Sequence, residues 1–173
     1  MNRNIAFRRA TIEDTSTIVQ FGADTFKSAF AAYQKPEDME SYLATNFNDE
    51  NIRSQISDAS TYFLLGYEGK NVIGYAMLRK GVHPECVTGP NPIELVRFYV
   101  SPNVIGRGYG SELMRHSLGE AQKMGHKTIW LSTWQKNDRA NRFYEKWGFE
   151  IVGNAIYVIG EDVVDDFIMQ WSE

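Results

Sequence analysis

One cysteine, Cys86, stands in the whole chain. No intrachain disulfide can therefore brace the fold, and a reducing, cytoplasmic setting is the simplest expectation. Beside His83 and Pro84, Cys86 reads as an incidental loop thiol. Histidine is scarce as well: His83, His116 and His126 are scattered, and no Cys/Asp/Glu cluster has ligand spacing, so no metal is expected. No apolar run is long enough to span a bilayer, and the opening MNRNIAFRRA lacks the apolar core of a signal peptide. A membrane partner is accordingly not expected. Basic residues are outnumbered, 18 Lys and Arg against 22 Asp and Glu, for a net charge of −4 and a pI near 5.4. That balance argues against a nucleic-acid partner, which favours a basic stripe. Repeats and low-complexity tracts are missing too. What remains is 173 residues, 43% of them hydrophobic, enough for one core and short of two. A single domain over residues 1–173 is the expectation.

The informative stretch is 93–111, IELVRFYVSPNVIGRGYGS. An apolar, β-branched run from Ile93 to Val100 stops at Ser101-Pro102. A glycine-rich loop follows, Gly106-Arg107-Gly108-Tyr109-Gly110, and a helical pattern begins near Ser111. Strand, glycine loop and helix together aim backbone N–H groups at a phosphate, because the first helical turn leaves its donors unpaired at the positive end of the dipole. A P-loop needs Lys and Ser/Thr after its last glycine, whereas Gly110 is followed by Ser111-Glu112. A dinucleotide fingerprint needs G-x-G-x-x-G near the start of a βαβ unit, and the spacing here is Gly106-x-Gly108-x-Gly110. Both are excluded.

Residues 128–149, TIWLSTWQKNDRANRFYEKWGF, form a second block. Thr128 to Thr133 reads as a strand. Asn137 or Asp138 suits a helix N-cap, and Ala140, Phe143, Tyr144 and Trp147 fall on one helical stripe. Gly148 then supplies a left-handed C′ position with Phe149 after it.

The remainder gives a coarse trace. Ile5–Arg9 is a short strand, and Thr11 to Asp14 a capping box opening a helix to about Phe30. Pro36 to Phe47 is a second helix, and Asn48 caps a short third. Thr61–Tyr67 and Val72–Arg79 are strands joined by a turn at 68–71. A proline-containing loop covers 81–92. Strand 93–100, helix 111–124 closed by Gly125, strand 127–133 and helix 138–147 follow, and Phe149–Ile159 and Asp165–Trp171 are the last strands. On 93–100, period-2 alternation puts Glu94 with Val96 and Phe98, and Arg97 with Leu95 and Tyr99.

The loop at 106–110 resembles the acyl-CoA loop of the GCN5-related N-acetyltransferases, with Gly108 and Gly110 matching its two glycines and Ile105 standing where Gln or Arg is usual. The string Asn137-x-x-Ala140-x-x-Phe143-Tyr144-x-x-x-Gly148-Phe149 is similar to the family's second signature. The resemblance implies the α/β fold of that family, a mixed central sheet of about six to seven strands flanked by helices. It implies an acetyltransferase with acetyl-CoA as cosubstrate, its pantetheine arm lying between strands 93–100 and 127–133 against the backbone of Phe98, Tyr99 and Val100. The pyrophosphate would rest on the amides of Gly106, Arg107, Gly108, Tyr109, Gly110 and Ser111, with Asn137 beside the arm. Tyr144 is the implied general acid for the leaving thiolate. Glu94 is the candidate base; the glutamate that some relatives carry on the next strand has Ser132 in its place here. Asn137 could equally be only a cap, and Tyr144 only a core aromatic.

The acceptor is a small-molecule primary amine in this reading. Several stretches, among them Asp24-Thr25-Phe26 with Phe30 and Pro36-Glu37-Asp38-Met39, resemble the bacterial spermidine/spermine branch. Asp24, Phe30, Glu37 and Glu94 are the candidate acceptor-binding residues, since acidic walls attract polycations. The alternatives are a protein N-terminal or lysine acetyltransferase and a non-catalytic acyl-CoA-binding regulator. A homodimer through the C-terminal strands is also open.

Overall fold

The computed structural model describes residues 4–159 and 162–173. Its elements are β1 (Ile5–Arg9), α1 (Thr15–Phe30), α2 (Pro36–Asn46), α3 (Asp49–Ser57), β2 (Thr61–Glu68), β3 (Asn71–Arg79) and β4 (Pro92–Val100), followed by α4 (Tyr109–Lys123), β5 (Thr128–Trp134), α5 (Asp138–Lys146), β6 (Glu150–Ile159) and β7 (Asp162–Ser172). The seven strands make one sheet in the order β1-β2-β3-β4-β5-β7-β6, antiparallel except for the β4–β5 pair. This is the mixed, helix-flanked α/β sheet expected from the sequence.

Local chemistry sets most boundaries. The box at Thr11 and Asp14 opens a 3₁₀ turn over Ile12–Asp14 that runs into α1. The Asn48 side chain accepts from the Asn51 amide at 2.8 Å and caps α3. Two helices end in the same left-handed device. Gly125 (φ 85°) donates to Gln122 O at 2.9 Å and His126 to Ala121 O at 3.0 Å; Gly148 (φ 85°) donates to Glu145 O at 2.9 Å and Phe149 to Tyr144 O at 3.1 Å. Each pair satisfies two carbonyls that the helix end would leave open.

Helices cover both faces of the sheet. On one, Leu113, Met114, Leu118 and Ala121 of α4 pack on Leu78, Ile93, Leu95, Ile129 and Leu131, with Phe143, Tyr144 and Trp147 of α5 beside them. On the other, Ile18 and Ile52 from α1 and α3 meet Phe63, Leu65, Tyr75 and Met77, and Phe26, Met39 and Phe47 extend that layer.

Two irregularities matter for function. β4 and β5 are paired only from Pro92↔Thr128 to Glu94↔Trp130, after which they part. β4 also bulges at Val96: Met77 faces Arg97 while Leu78 faces Leu95, so one residue is extra. The bulge corrects the strict alternation expected for this strand. Val96 and Arg97 both lie toward α1 and α3, Leu95 and Phe98 both toward α4 and α5, and Glu94, Arg97 and Tyr99 share one face.

Candidate active site

The wedge between β4 and β5 is the centre of the site. Beyond Glu94 the inner margin of β4 has no strand beside it, so Leu95 to Val100 offer an unclaimed ladder edge. Phe98, Tyr99 and Val100 form its outer half. β4 nonetheless stays pinned to β3 as far as Gly74↔Val100, and Ser101 N donates to Ile73 O at 2.9 Å.

The glycine loop closes the wide end. Gly106 and Gly108 take φ values of 79° and 86°, and α4 starts at Tyr109, two residues earlier than the sequence pattern suggests. Gly108 is the left-handed N-cap, so Tyr109, Gly110 and Ser111 form the first turn. The Tyr109 side chain turns inward, buried, and its hydroxyl donates to the Glu68 carboxylate at the end of β2. That anchor fixes the helix start with its dipole toward the loop. A Cβ on Gly110 would stand 3.6 Å from the Phe143 ring and 3.7 Å from Val100, so the turn sits directly over β4 and α5. Arg107 and Ile105 are exposed on the loop.

α5 supplies the α4-side wall. Asn137 caps it, accepting from the Ala140 amide at 3.3 Å. Asn141, which the sequence reading passed over, is buried: it accepts from Thr133 Oγ1 at 3.0 Å and donates to Trp134 O at 3.2 Å and Gln135 O at 3.0 Å, locking the β5–α5 corner. Tyr144 lies edge-on to Phe98, ring centroids 6.3 Å apart, and also meets Phe143 and Phe149. Burial pushes its phenol well above the ordinary range, so it stays protonated at neutral pH. The Tyr99 phenol, packed in the layer on the opposite side of the sheet from Phe98, is raised mainly by burial.

The opposite face is polar. Glu94, its side chain 13% exposed, stands on the last shared rung and is held by Arg79, whose Nε and Nη2 reach Oε2 at 3.2 and 2.7 Å. Arg97 is buried; its Nη1 donates to Gln55 Oε1 at 2.9 Å, and its guanidinium lies over the Phe47 ring at 4.9 Å. Ser132, one alternation beyond the last rung, donates to Asp166 Oδ2 on β7 at 2.8 Å. Burial raises the Asp166 proton affinity, which Ser132 partly offsets. Tyr157 of β6 completes the group: its phenol is raised chiefly by burial and feels Glu94 and Asp166. Phe30 reaches this side through Trp134, 6.1 Å away, whereas Asp24 and Glu37 are exposed on α1 and α2, with Asp24 accepting from Gln20 at 2.9 Å. Any pull those two acids exert on a cation acts through solvent.

Known proteins align with this arrangement. A family model described as the acetyltransferase (GNAT) family matches residues 23–149. An uncharacterised N-acetyltransferase of Mycobacterium tuberculosis is 30% identical over 156 residues, covering 90% of this chain and 96% of the relative. A spermidine N(1)-acetyltransferase of Thermoplasma acidophilum is 24% identical over 152 residues, covering 86% and 89%. Among solved structures, the PaiA N-acetyltransferase of Thermoplasma acidophilum in complex with coenzyme A superimposes with a TM-score of 0.81 at 24% identity, covering 98% of this chain and 99% of that one. A GCN5-related N-acetyltransferase of Rhodopseudomonas palustris gives 0.76 at 17% identity, with 100% and 99% covered. With the family model spanning the wedge, the glycine loop and Tyr144, the chain belongs to the acetyltransferase (GNAT) family and is an N-acetyltransferase.

Proposed function

We propose that the protein transfers the acetyl group of acetyl-CoA to a primary amine of a small molecule, by direct attack within a ternary complex. The parting of β4 from β5 carries this reading: an extended amide-bearing arm laid along Phe98, Tyr99 and Val100 meets unclaimed backbone partners. The loop amides from Gly106 to Ser111, at the start of α4, suit a pyrophosphate, and Arg107 and Asn137 border its path. A thioester lying along that arm comes between Tyr144 on one face and the Glu94–Ser132–Asp166 group on the other.

An alkylammonium with a pKa near 10.4 is free base in only about one molecule in 10³ at neutral pH. A carboxylate on the acceptor face takes its proton, and Glu94 and Asp166 are candidates there among the described residues. The free amine attacks the thioester carbonyl, the C–N bond forms and the C–S bond breaks. Tyr144 gives its proton to the departing sulfur and recovers one from the new amide nitrogen. The residual product is one proton, released through the carboxylate.

For the acceptor, the name of the Thermoplasma relative, the net charge of −4 and the two acids support a polyamine. The edge strand β6 exposes Ile156 and Val158, which supports association with a second copy; sedimentation tests it. Thiol release from acetyl-CoA tests the function, against spermidine, spermine, putrescine, amino acids, aminoglycosides and short peptides, with wild type and Tyr144→Phe. Turnover on polyamines lost in the variant supports the reading. Turnover on peptides alone moves the protein to protein acetylation, and tight acetyl-CoA binding without turnover moves it to a regulatory role.

A further inference from the structure

We propose that Asp166 is the catalytic base of this site: its carboxylate, presented by the Ser132 hydroxyl at the opening of the β4–β5 wedge, receives the acceptor's ammonium group and takes its proton. The inference rests on the amine acetyltransferase reading and names the residue that does the step left unassigned there.

Position is the first argument. β4 and β5 separate after Glu94↔Trp130, and Ser132 is the next β5 residue on the acceptor face. Its hydroxyl fixes Asp166 Oδ2 at 2.8 Å, so a carboxylate is presented there from the neighbouring strand β7.

Availability is the second. Glu94 Oε2 accepts twice from Arg79, so that oxygen is already engaged by a guanidinium. Among the described residues Asp166 pairs with no cation and accepts one hydrogen bond, to Oδ2 from the neutral Ser132 hydroxyl. The groups facing it are Ser132 from β5, Tyr157 from β6, Tyr42 from α2 and its neighbour Asp165. The lining is two phenols and a hydroxyl, with Asp165 adding a like charge and the Arg79–Glu94 pair standing beyond Tyr157. Burial there favours the neutral acid, which is the state a base must reach during the step.

The chemistry balances. The ammonium gives one proton to Asp166, the freed lone pair forms the C–N bond, the C–S pair leaves with sulfur and takes the Tyr144 proton, Tyr144 recovers the second nitrogen proton, and Asp166 later returns its own to water.

The experiment is the pH dependence of kcat/KM for the amine, from pH 6 to 10, in wild type, Asp166→Asn, Asp166→Glu and Glu94→Gln, with acetyl-CoA binding measured calorimetrically alongside. Asp166→Asn is expected to lose about 10²-fold or more at pH 7. It should recover nearly tenfold per pH unit as the free amine becomes abundant, with acetyl-CoA affinity and Tm maintained. Asp166→Glu, which retains a carboxylate one methylene further out, should recover part of the loss, and Glu94→Gln should keep the wild-type slope. Wild-type rate and slope in folded Asp166→Asn overturn the proposal, as does transfer of the whole effect to Glu94→Gln. Should Asp166→Asn fail to fold, Asp166→Glu with an undiminished rate and unchanged slope overturns it. A wild type that binds acetyl-CoA and acetylates no amine overturns the underlying reading, and Asp166 with it.

Discussion

Arg79 and Glu94 face each other across β3 and β4 at the last rung before β4 and β5 part, joined by two contacts to one carboxylate oxygen. The pair therefore braces the apex of the wedge. Because Arg79 is 47% exposed, screening keeps its worth small, about 1 kcal/mol or less. Arg79→Gln is expected to lower Tm by only a few degrees and to leave the acetyl-CoA affinity near wild type. A loss of folding in thermal melts contradicts this bracing role.

Tyr144→Phe retains the ring that packs on Phe98, Phe143 and Phe149 and removes only the hydroxyl. kcat should fall by about 10²- to 10⁴-fold while KM for acetyl-CoA changes little, the pattern of an interaction made in the transition state alone. Steady-state kinetics with both substrates varied separates this from a packing defect, which would raise KM as well.

Gly74 lies under the outer half of β4. A Cβ there would stand 2.6 Å from the Tyr99 carbonyl oxygen and 3.4 Å from Val100 Cα, both backbone atoms of the wedge margin. Gly74→Ala must push β4 toward the arm-binding gap. We expect a cost of about 1–3 kcal/mol together with a several-fold weaker acetyl-CoA affinity. Calorimetric titration of the folded variant checks the second effect; unchanged affinity removes Tyr99 and Val100 from the cofactor path.

The Arg8–Asp14 pair governs the acid limb of stability. Arg8 grips both carboxylate oxygens at 2.7 Å and holds the Asp14 carboxyl down at about 2. Since this lies below the unfolded value, the stabilisation is present above about pH 4 and disappears as pH falls toward about 2. Arg8 is 49% exposed, which reduces the face value of the shift to about 1–2 kcal/mol. Asp14→Asn should lose that amount at pH 7 and flatten the unfolding curve between pH 4 and 2, as read by urea melts.

Sequence logic was strongest where the relevant interactions are local. Gly125 and Gly148 announced their helix ends, Asn48 its cap, and the alternating runs most strands, because those devices involve residues within five positions of each other. It misjudged β4, where the extra residue at Val96 follows from pairing with β3 and has no signature in the strand itself. Helix α4 began early for a similar reason: Tyr109 is drawn inward by Glu68, 41 positions away. The Ser132–Asp166 contact had no sequence signal because only the β5–β7 register brings the two together, 34 positions apart. The placement of Asn137 as a cap and of Tyr144 on the packed stripe was legible because both belong to one short helix, α5.

The parting of β4 from β5 has a consequence for the protein's lifetime in the cell. A sheet split at its middle carries an unpaired strand margin where most sheets have none, and unpaired margins invite strand addition by other chains. A ligand occupying the slot hides that margin and adds about 2.7 kcal/mol at a hundredfold excess over its Kd. Abundance of the folded chain would then track the supply of acyl-CoA, so that starved cells hold less of the protein as well as running it more slowly.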